Sequence, residues 1–257
     1  MLELNQIHQM DCIEGMKNLE SDSIDLIVTS PPYNLSIAYD SYEDTMPYEQ
    51  YLEWVEGWIQ ESLRVLKHGG RICVNIPMES NLGGKKYIMN DYINIFERLG
   101  YVRNSMAIWN KQNLTSRTAW GSWKSPSCPN IINPIEVILI YSKGTRKKEG
   151  KKENIDITRD EFVEYSLGVW NFHSESAKRI GHPAPFPKEL PYRCMKMFSY
   201  KGDVVLDPFM GSGTTAVVAK ENGRDFIGFD LSTDYIEIAN KRIGEVITFI
   251  NEGVEKS

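Results

Sequence analysis

Two short stretches carry side chains in arrangements that chemistry can use. The first is Ile24-Asp-Leu-Ile-Val-Thr-Ser-Pro-Pro-Tyr-Asn34. Two consecutive prolines after an apolar run fix two φ angles and remove two N–H donors, so the turn is stiff. Within it Ser30 offers a hydroxyl, Pro31 a carbonyl acceptor and Tyr33 a flat ring, with Pro32 holding the spacing. These groups suit a planar ring bearing an amino group: the two oxygens accept from the NH2 while the tyrosine stacks on the ring face. A plain strand-ending turn would leave Tyr33 exposed and without a task.

The second stretch is Val204-Val-Leu-Asp-Pro-Phe-Met-Gly-Ser-Gly-Thr-Thr215 and the apolar residues that follow it to Gly223. An acid, Asp207, ends an apolar run; Gly211 and Gly213 then allow a sharp turn and close approach of a ligand to the backbone. A helix opening at Thr214 adds free N–H groups, and the whole reads as a cofactor cradle. Gly211-Ser-Gly213-Thr-Thr-Ala216 also satisfies the dinucleotide pattern, with Asp230 after the next apolar run placed as a ribose-binding acid. A nicotinamide enzyme therefore stays open beside other cofactor users, as does a tight strand-to-helix turn without a ligand. A nucleoside triphosphatase does not, because its loop needs a lysine where Thr214 stands.

Such turns need a scaffold. Short β-branched runs at 24–29, 71–76, 136–141, 204–206 and 225–229 read as buried strands. A helix is expected from Pro47 to about Lys67, where Tyr51, Trp54, Val55, Trp58, Ile59, Leu63 and Leu66 fall at helical spacing, most simply as core. Further helices are expected over 214–223 and from about Ser232 onward. Strands alternating with helices predict an α/β fold with a mostly parallel sheet. The stretches 112–134 and 144–187 are polar, interleaved with Trp120, Trp123, Trp170, Phe172 and His173, and read as loop-rich insertions of a single domain, the kind of segment that carries recognition.

With 257 residues and 41% apolar content the chain can build a full core. No apolar run approaches a membrane span and the first residues lack a secretory layout, so a soluble, cytoplasmic protein is expected. Cys12, Cys73, Cys128 and Cys194 lie too far apart in sequence for a paired metal motif, and no metal is expected. The net charge of −6 argues at first against a nucleic-acid partner. Locally the balance differs: residues 36–63 hold seven acids and no base, whereas 102–152 hold ten bases and two acids. The basic middle is thus where DNA contact is expected, unless the run 143–152 is simply a solvated loop.

Thr-Ser-Pro-Pro-Tyr (29–33) and Asp-Pro-Phe-Met-Gly-Ser-Gly-Thr-Thr (207–215) resemble the catalytic and S-adenosylmethionine motifs of DNA amino-methyltransferases, which methylate cytosine N4 or adenine N6. Their order resembles the family's β class. Met10-Asp11-Cys12 is similar to the turn contacting the cofactor adenine, and His182-Pro-Ala-Pro-Phe-Pro187 to the element that closes over the methionine part. The resemblance implies a Rossmann-like methyltransferase with a mostly parallel seven-stranded sheet and one antiparallel strand, for which 136–141 is the candidate. It further implies that Asp11 and Cys12 face the adenine, and that Asp230 takes the ribose hydroxyls. Phe186, Asp207, Phe209, Gly211, Ser212, Gly213 and Thr214 would line the methionine end. Phe186 stands where other members often carry a lysine.

On the same resemblance, Ser30, Pro31, Pro32 and Tyr33 form the catalytic turn, and serine at its head favours cytosine N4 over adenine N6. Pulling the amino hydrogens out of plane localises the nitrogen lone pair for direct attack on the sulfonium methyl, with the target base flipped out of duplex DNA. Methylation at cytosine C5 is disfavoured, since no cysteine follows a proline. Arg117, Trp120, Trp123 and Lys124, with the 146–152 cluster, are the expected DNA contacts, within recognition segments at about 113–134 and 144–181. A cognate restriction endonuclease and a monomer or homodimer complete the expectation. A non-catalytic DNA-binding module, or methylation of an amino or amide group on protein or RNA, are the remaining alternatives.

Overall fold

A computed structural model describes residues 2–33, 46–79, 86–112, 121–131, 133–175 and 186–254. Its centre is an eight-stranded sheet in the order β1-β8-β7-β2-β3-β5-β4-β6. The strands are β1 (Gln6–Gln9), β2 (Ile24–Thr29), β3 (Leu66–Pro77), β4 (Val102–Asn110), β5 (Ile135–Ser142), β6 (Val169–Asn171), β7 (Val204–Asp207) and β8 (Asp225–Asp230). Only β5 runs against its neighbours β3 and β4. The antiparallel strand falls where expected, and the eighth strand, β6, is a three-residue addition pairing with the end of β4.

Seven α-helices are seen among the described residues: α1 (Cys12–Lys17), α2 (Tyr48–Val65), α3 (Ile88–Arg98), α4 (Arg159–Tyr165), α5 (Glu189–Phe198), α6 (Thr214–Glu221) and α7 (Thr233–Val254). They cover both faces of the sheet, and strand alternation decides what each face buries. On one face Ile27, Ile72, Val74, Leu139 and Phe229 meet Met16, Trp58, Ile59, Tyr92 and Phe96 from α1, α2 and α3. On the other, Leu26, Val28, Cys73, Ile138, Ile140 and Val205 meet Leu190, Cys194, Met195, Val217 and Ile243 from α5, α6 and α7. Because strands are buried on both sides, their sequences read as continuous apolar runs. That explains why β2, β3, β5, β7 and β8 were visible in the sequence. β1 and β4 are more exposed and more polar, and escaped it.

The segment 144–187 departs from expectation. It contains a 3-10 turn (Lys152–Asn154), α4 with a Thr158/Glu161 capping box, and β6, whose Trp170 is buried. Its basic start lies at the amino edge of the sheet, with Arg146, Lys147, Lys151 and Lys152 exposed. Lys148 is buried at the amino edge of the sheet, where its Nζ sits 2.7 Å from Asp25 Oδ1 and 3.3 Å from Asp203 Oδ2. Lys67 takes the other Asp25 oxygen at 2.6 Å. The Arg146 carbonyl accepts from Arg71, and Lys143 pairs with Asp22. A Cβ on Gly150 would run into the Tyr200 ring, so the loop lies flat against the body. The cluster at 146–152 is thereby a strap across the strand starts, a β2 length (about 20 Å) from the Ser-Pro-Pro-Tyr turn.

Candidate functional site

Parallel strands bring their carboxyl ends to one edge, and β5 brings its start there. Along that edge lie Asp11 after β1, Ser30 after β2, Asn75 near the end of β3, Lys111 after β4, Glu136 at the start of β5, Asp207 at the end of β7 and Asp230 at the end of β8. Ligands of open α/β sheets bind at this edge.

The cofactor half is built around Asp207 and Asp230. Asp207 is fully buried; its Oδ1 accepts from Thr29 Oγ1 at 2.6 Å and Phe209 N at 3.1 Å, and its Oδ2 from Thr215 Oγ1 at 2.6 Å. Burial pushes its carboxyl up to about 6, against the lowering effect of those hydrogen bonds. Expected to line the methionine end, Asp207 is instead a brace: it has no open face and ties β2 to the glycine loop and α6. Asp230 accepts from Gly211 N at 2.8 Å and Ser232 N at 2.9 Å, and burial raises its carboxyl above the usual range. Even with the Leu231 N–H as a third backbone donor, the four lone-pair sites of a carboxylate leave room for a further one.

Gly213 has φ +78°, and a Cβ there would come within 2.6 Å of the Ala239 Cβ on α7, so the turn requires glycine twice over. Ser212 and Thr214 are buried and face Arg242 of α7, whose Nη1 donates to the Ser212 carbonyl, to Ser212 Oγ at 3.1 Å and to Thr214 Oγ1 at 3.3 Å. Phe209 packs on Trp54 and Trp58 of α2, with centroids 5.4 and 5.5 Å apart. The β1–β8 pairing sets Gln9 opposite Asp230 and so carries Asp11 to the same place. Asp11 Oδ1 caps α1 through Ile13 N and Glu14 N; Oδ2 makes no hydrogen bond among the described residues. Cys12 is buried, and burial holds its thiol neutral by raising its pKa. Phe186 is half-buried against the second core face, while His182 lies outside the described residues.

At the catalytic turn the expectation for Tyr33 needs correction. The residue is 8% exposed, and its hydroxyl points inward, donating to the Asn75 carbonyl at 3.1 Å. Asn75 Nδ2 donates to the same oxygen at 3.0 Å. The same phenol oxygen is in short contact with Ser30 Oγ, a pair in which either hydroxyl can donate. Asn75 and Glu136 were missed in the sequence; the only signal was a polar residue inside one apolar strand and at the head of another.

Of the expected DNA contacts, Trp123 is exposed, and Lys124, at φ +53°, holds its Nζ 5.7 Å from the Trp123 ring. Arg117 and Trp120 lie outside the described residues. Among the described residues no group of acids, histidines and cysteines could hold a metal, and no helix is long and apolar enough to cross a membrane.

A glycine cradle with two flanking acids, joined along one sheet edge to a turn that presents acceptors, defines a Rossmann-like group-transfer enzyme. Comparison with known proteins makes the class specific. Residues 24–241 match the N6/N4 methyltransferase family model, described as DNA methylase. Type II methyltransferase M1.MboII of Moraxella bovis is 32% identical over 262 residues, 93% of this chain and 96% of the relative. M.HpaI of Haemophilus parainfluenzae is 32% identical over 91% of this chain and 72% of its own. A putative DNA modification methylase from Thermus thermophilus superimposes with a TM-score of 0.75 at 27% identity, covering 94% of this chain and 95% of that one, in its complex with S-adenosyl-L-methionine. The cytosine-N4-specific PvuII methyltransferase shares the fold, with a TM-score of 0.71 at 19% identity over 95% of this chain and 90% of that one. The chain belongs to the N6/N4 DNA methylase family and is an S-adenosylmethionine-dependent DNA amino-methyltransferase. The nicotinamide reading of the glycine loop falls with that assignment.

Proposed function

We propose that this enzyme methylates the N4 amino group of cytosine flipped out of duplex DNA, with the transfer centred on Ser30. The observation that carries the reading is the Ser30 hydroxyl at the head of the rigid turn, held against the inward Tyr33 hydroxyl and with lone pairs to offer toward the cleft. With the Pro31 carbonyl it can take both hydrogens of an exocyclic amine, drawing them from the ring plane and freeing the nitrogen lone pair. Tyr33 fixes the turn from below by its inward hydroxyl, and its ring edge bounds the base site. Bound S-adenosylmethionine supplies an electrophilic methyl on a positively charged sulfur. The chain's part is to hold donor and acceptor in line and to stabilise the amine as it becomes cationic, which the acceptors of the turn do.

The cradle fits that cofactor. Asp230 is part-buried at the sheet edge with a lone pair to offer ribose hydroxyls, and Asp11 Oδ2 is unengaged among the described residues. Trp123 and Lys124 supply a stacking surface and a phosphate contact. The relatives are named Type II methyltransferases, which supports a partner restriction endonuclease of the same sequence specificity and a cytoplasmic site of action. The test is incubation with methyl-labelled S-adenosylmethionine and unmethylated mixed-sequence duplex DNA, followed by digestion to nucleosides. N4-methylcytosine is expected; N6-methyladenine would overturn the base choice, and unlabelled DNA would overturn the reading as a whole.

A further inference from the structure

The sheet edge that carries the catalytic turn continues across to β4 and β6, and both strands end there in a side-chain amide. Asn110 and Asn171 are opposite each other in the parallel β4–β6 register, the first half-buried and the second exposed. A stiff base adjoins them: the Trp109 and Phe172 rings are stacked with centroids 5.2 Å apart, and Trp109 Nε1 donates to the Phe172 carbonyl at 2.9 Å. Lys111 takes no part in the pair. Its ammonium reaches back to Glu136, which also accepts from Asn75 Nδ2 at 2.5 Å.

The hydrogen bonds of the amide pair run in one direction. The Gln112 backbone N–H can only donate, and it lies 3.1 Å from Asn110 Oδ1, so the Asn110 amide is set with its oxygen toward Gln112 and its nitrogen toward β6. Asn110 Nδ2 then donates to Asn171 Oδ1 at 3.0 Å. A donating nitrogen needs an oxygen opposite it, which turns the NH2 of Asn171 away from Asn110. That NH2 makes no hydrogen bond among the described residues, and Asn171 Oδ1 keeps a lone pair. Gln112 has φ +55°, so the turn that aims the pair is held at a conformational cost.

An exposed amide with an N–H donor beside an acceptor is the complement of adenine in the major groove, where N7 accepts and the N6 amino group donates. β4 is three strands from β2 and β6 is four, so at about 4.8 Å per strand the pair stands roughly 15–20 Å from Ser30 along the same edge. Base pairs are about 3.4 Å apart along a duplex, so that reach covers up to about six of them. We propose that Asn171, aimed by Asn110, is a specificity-determining residue that reads the N6/N7 edge of an adenine within about six base pairs of the methylated base. The assignment rests on the Ser30 turn as the place where the flipped base is methylated, and the experiment separates the two.

Duplexes of random sequence are methylated by the parent, by Asn171→Ala and by Asn110→Asp at saturating S-adenosylmethionine, and the preference at each position is taken as a ratio of methylation rates. The parent is expected to require adenine at a position other than the methylated base. Asn171→Ala should lower the preference there at least about tenfold and leave other positions within about twofold, with cofactor affinity and melting unchanged. Asn110→Asp still accepts from Gln112 N but has no proton for Asn171, whose amide must then turn its NH2 inward; the same position should lose its preference to a similar degree. A uniform weakening of DNA binding by the added charge cancels in the ratio. In the parent, 7-deazaadenine at that position, which lacks the N7 acceptor, should slow methylation about tenfold, and in Asn171→Ala it should add nothing. An unchanged profile in Asn171→Ala would overturn the proposal, as would equal losses at every position or a loss confined to a position where the parent requires another base. A parent that methylates no duplex would overturn the Ser30 reading and this inference with it. A parent with a defined preference that both variants share would overturn the base-reading role alone.

Discussion

Gly213→Ala tests the geometry of the cofactor loop most directly, because two separate costs can be read from the structure. The first is conformational: φ is +78°, a region that costs a residue with a Cβ about 1–2 kcal/mol. The second is steric: the new Cβ would lie 2.6 Å from the Ala239 Cβ and 3.0 Å from its Cα, so α7 or the loop must move. Overpacking of that kind costs about 1–3 kcal/mol, for a total of about 2–5 kcal/mol. At about 2–4 °C per kcal/mol for a chain of this size, melting should fall by roughly 10 °C. The control is inside the same molecule. Gly223 has φ +68°, but a Cβ added there would meet nothing within 4 Å, so Gly223→Ala should lose only the conformational cost of about 1–2 kcal/mol, near 4 °C. Denaturant titration of both variants, with Ala239→Gly added to the first, isolates the contact as a coupling energy. Equal losses for the two glycines would refute the steric reasoning, and so would the absence of any coupling to Ala239.

Three further outcomes are expected. The Asp207 carboxyl lies near 6 in the fold against 3.8 ordinarily, so the folded state takes up a proton between those values that the unfolded chain does not. Parent stability should therefore rise relative to Asp207→Asn as pH falls from about 6 to 4, by up to about 3 kcal/mol; a pH-independent difference would contradict it. Lys148→Met leaves Asp25 and Asp203 short of a partner and should cost about 3 kcal/mol in denaturant unfolding. The salt dependence of DNA affinity should stay unchanged in the same variant, and a shallower slope would place Lys148 on phosphate after all. Lys124→Ala should do the reverse, lowering that slope by about 0.9 with melting within about 0.5 kcal/mol of the parent.

What could be read from the sequence divides along physical lines. Strands buried on both faces announce themselves as apolar runs, and α2 by helical spacing of Tyr51, Val55, Trp58 and Ile59, all of which are buried. The glycine loop and the proline turn were legible because their backbone demands restrict residue choice locally. β1, β4 and β6 were not, since a half-exposed strand such as Val102–Asn110 mixes Arg, Asn and Ser with its apolar positions. Asn75 and Glu136 come from two strands and Lys111 from just past the end of a third, and their meeting is set by register, with Pro77 opposite Glu136 and Trp109 opposite the same residue. Local charge misled for a related reason. Lys143 and Lys148 belong to the basic middle, yet each is paired with an acid brought in by the fold.

Direct methyl transfer makes alignment the enzyme's main task, and a misplacement of about 1 Å can cost about a hundredfold in rate. The turn that receives the base and the loop that holds the cofactor are 178 residues apart in sequence at the point where Thr29 meets Asp207. The Asp207 carboxylate joins them: Thr29 immediately precedes Ser30, Phe209 N opens the glycine loop, and Thr215 lies in the first turn of α6. One fully buried group thus fixes three backbones against each other, at the expense of a carboxyl that burial drives toward its neutral form. An amide at this position keeps the volume but must point its NH2 at a hydroxyl that now donates. Asp207→Asn should accordingly weaken cofactor binding and slow transfer together, whereas Ser30→Ala should slow transfer alone. An Asp207→Asn enzyme with parental cofactor affinity and rate would show that the brace is not what aligns the two halves.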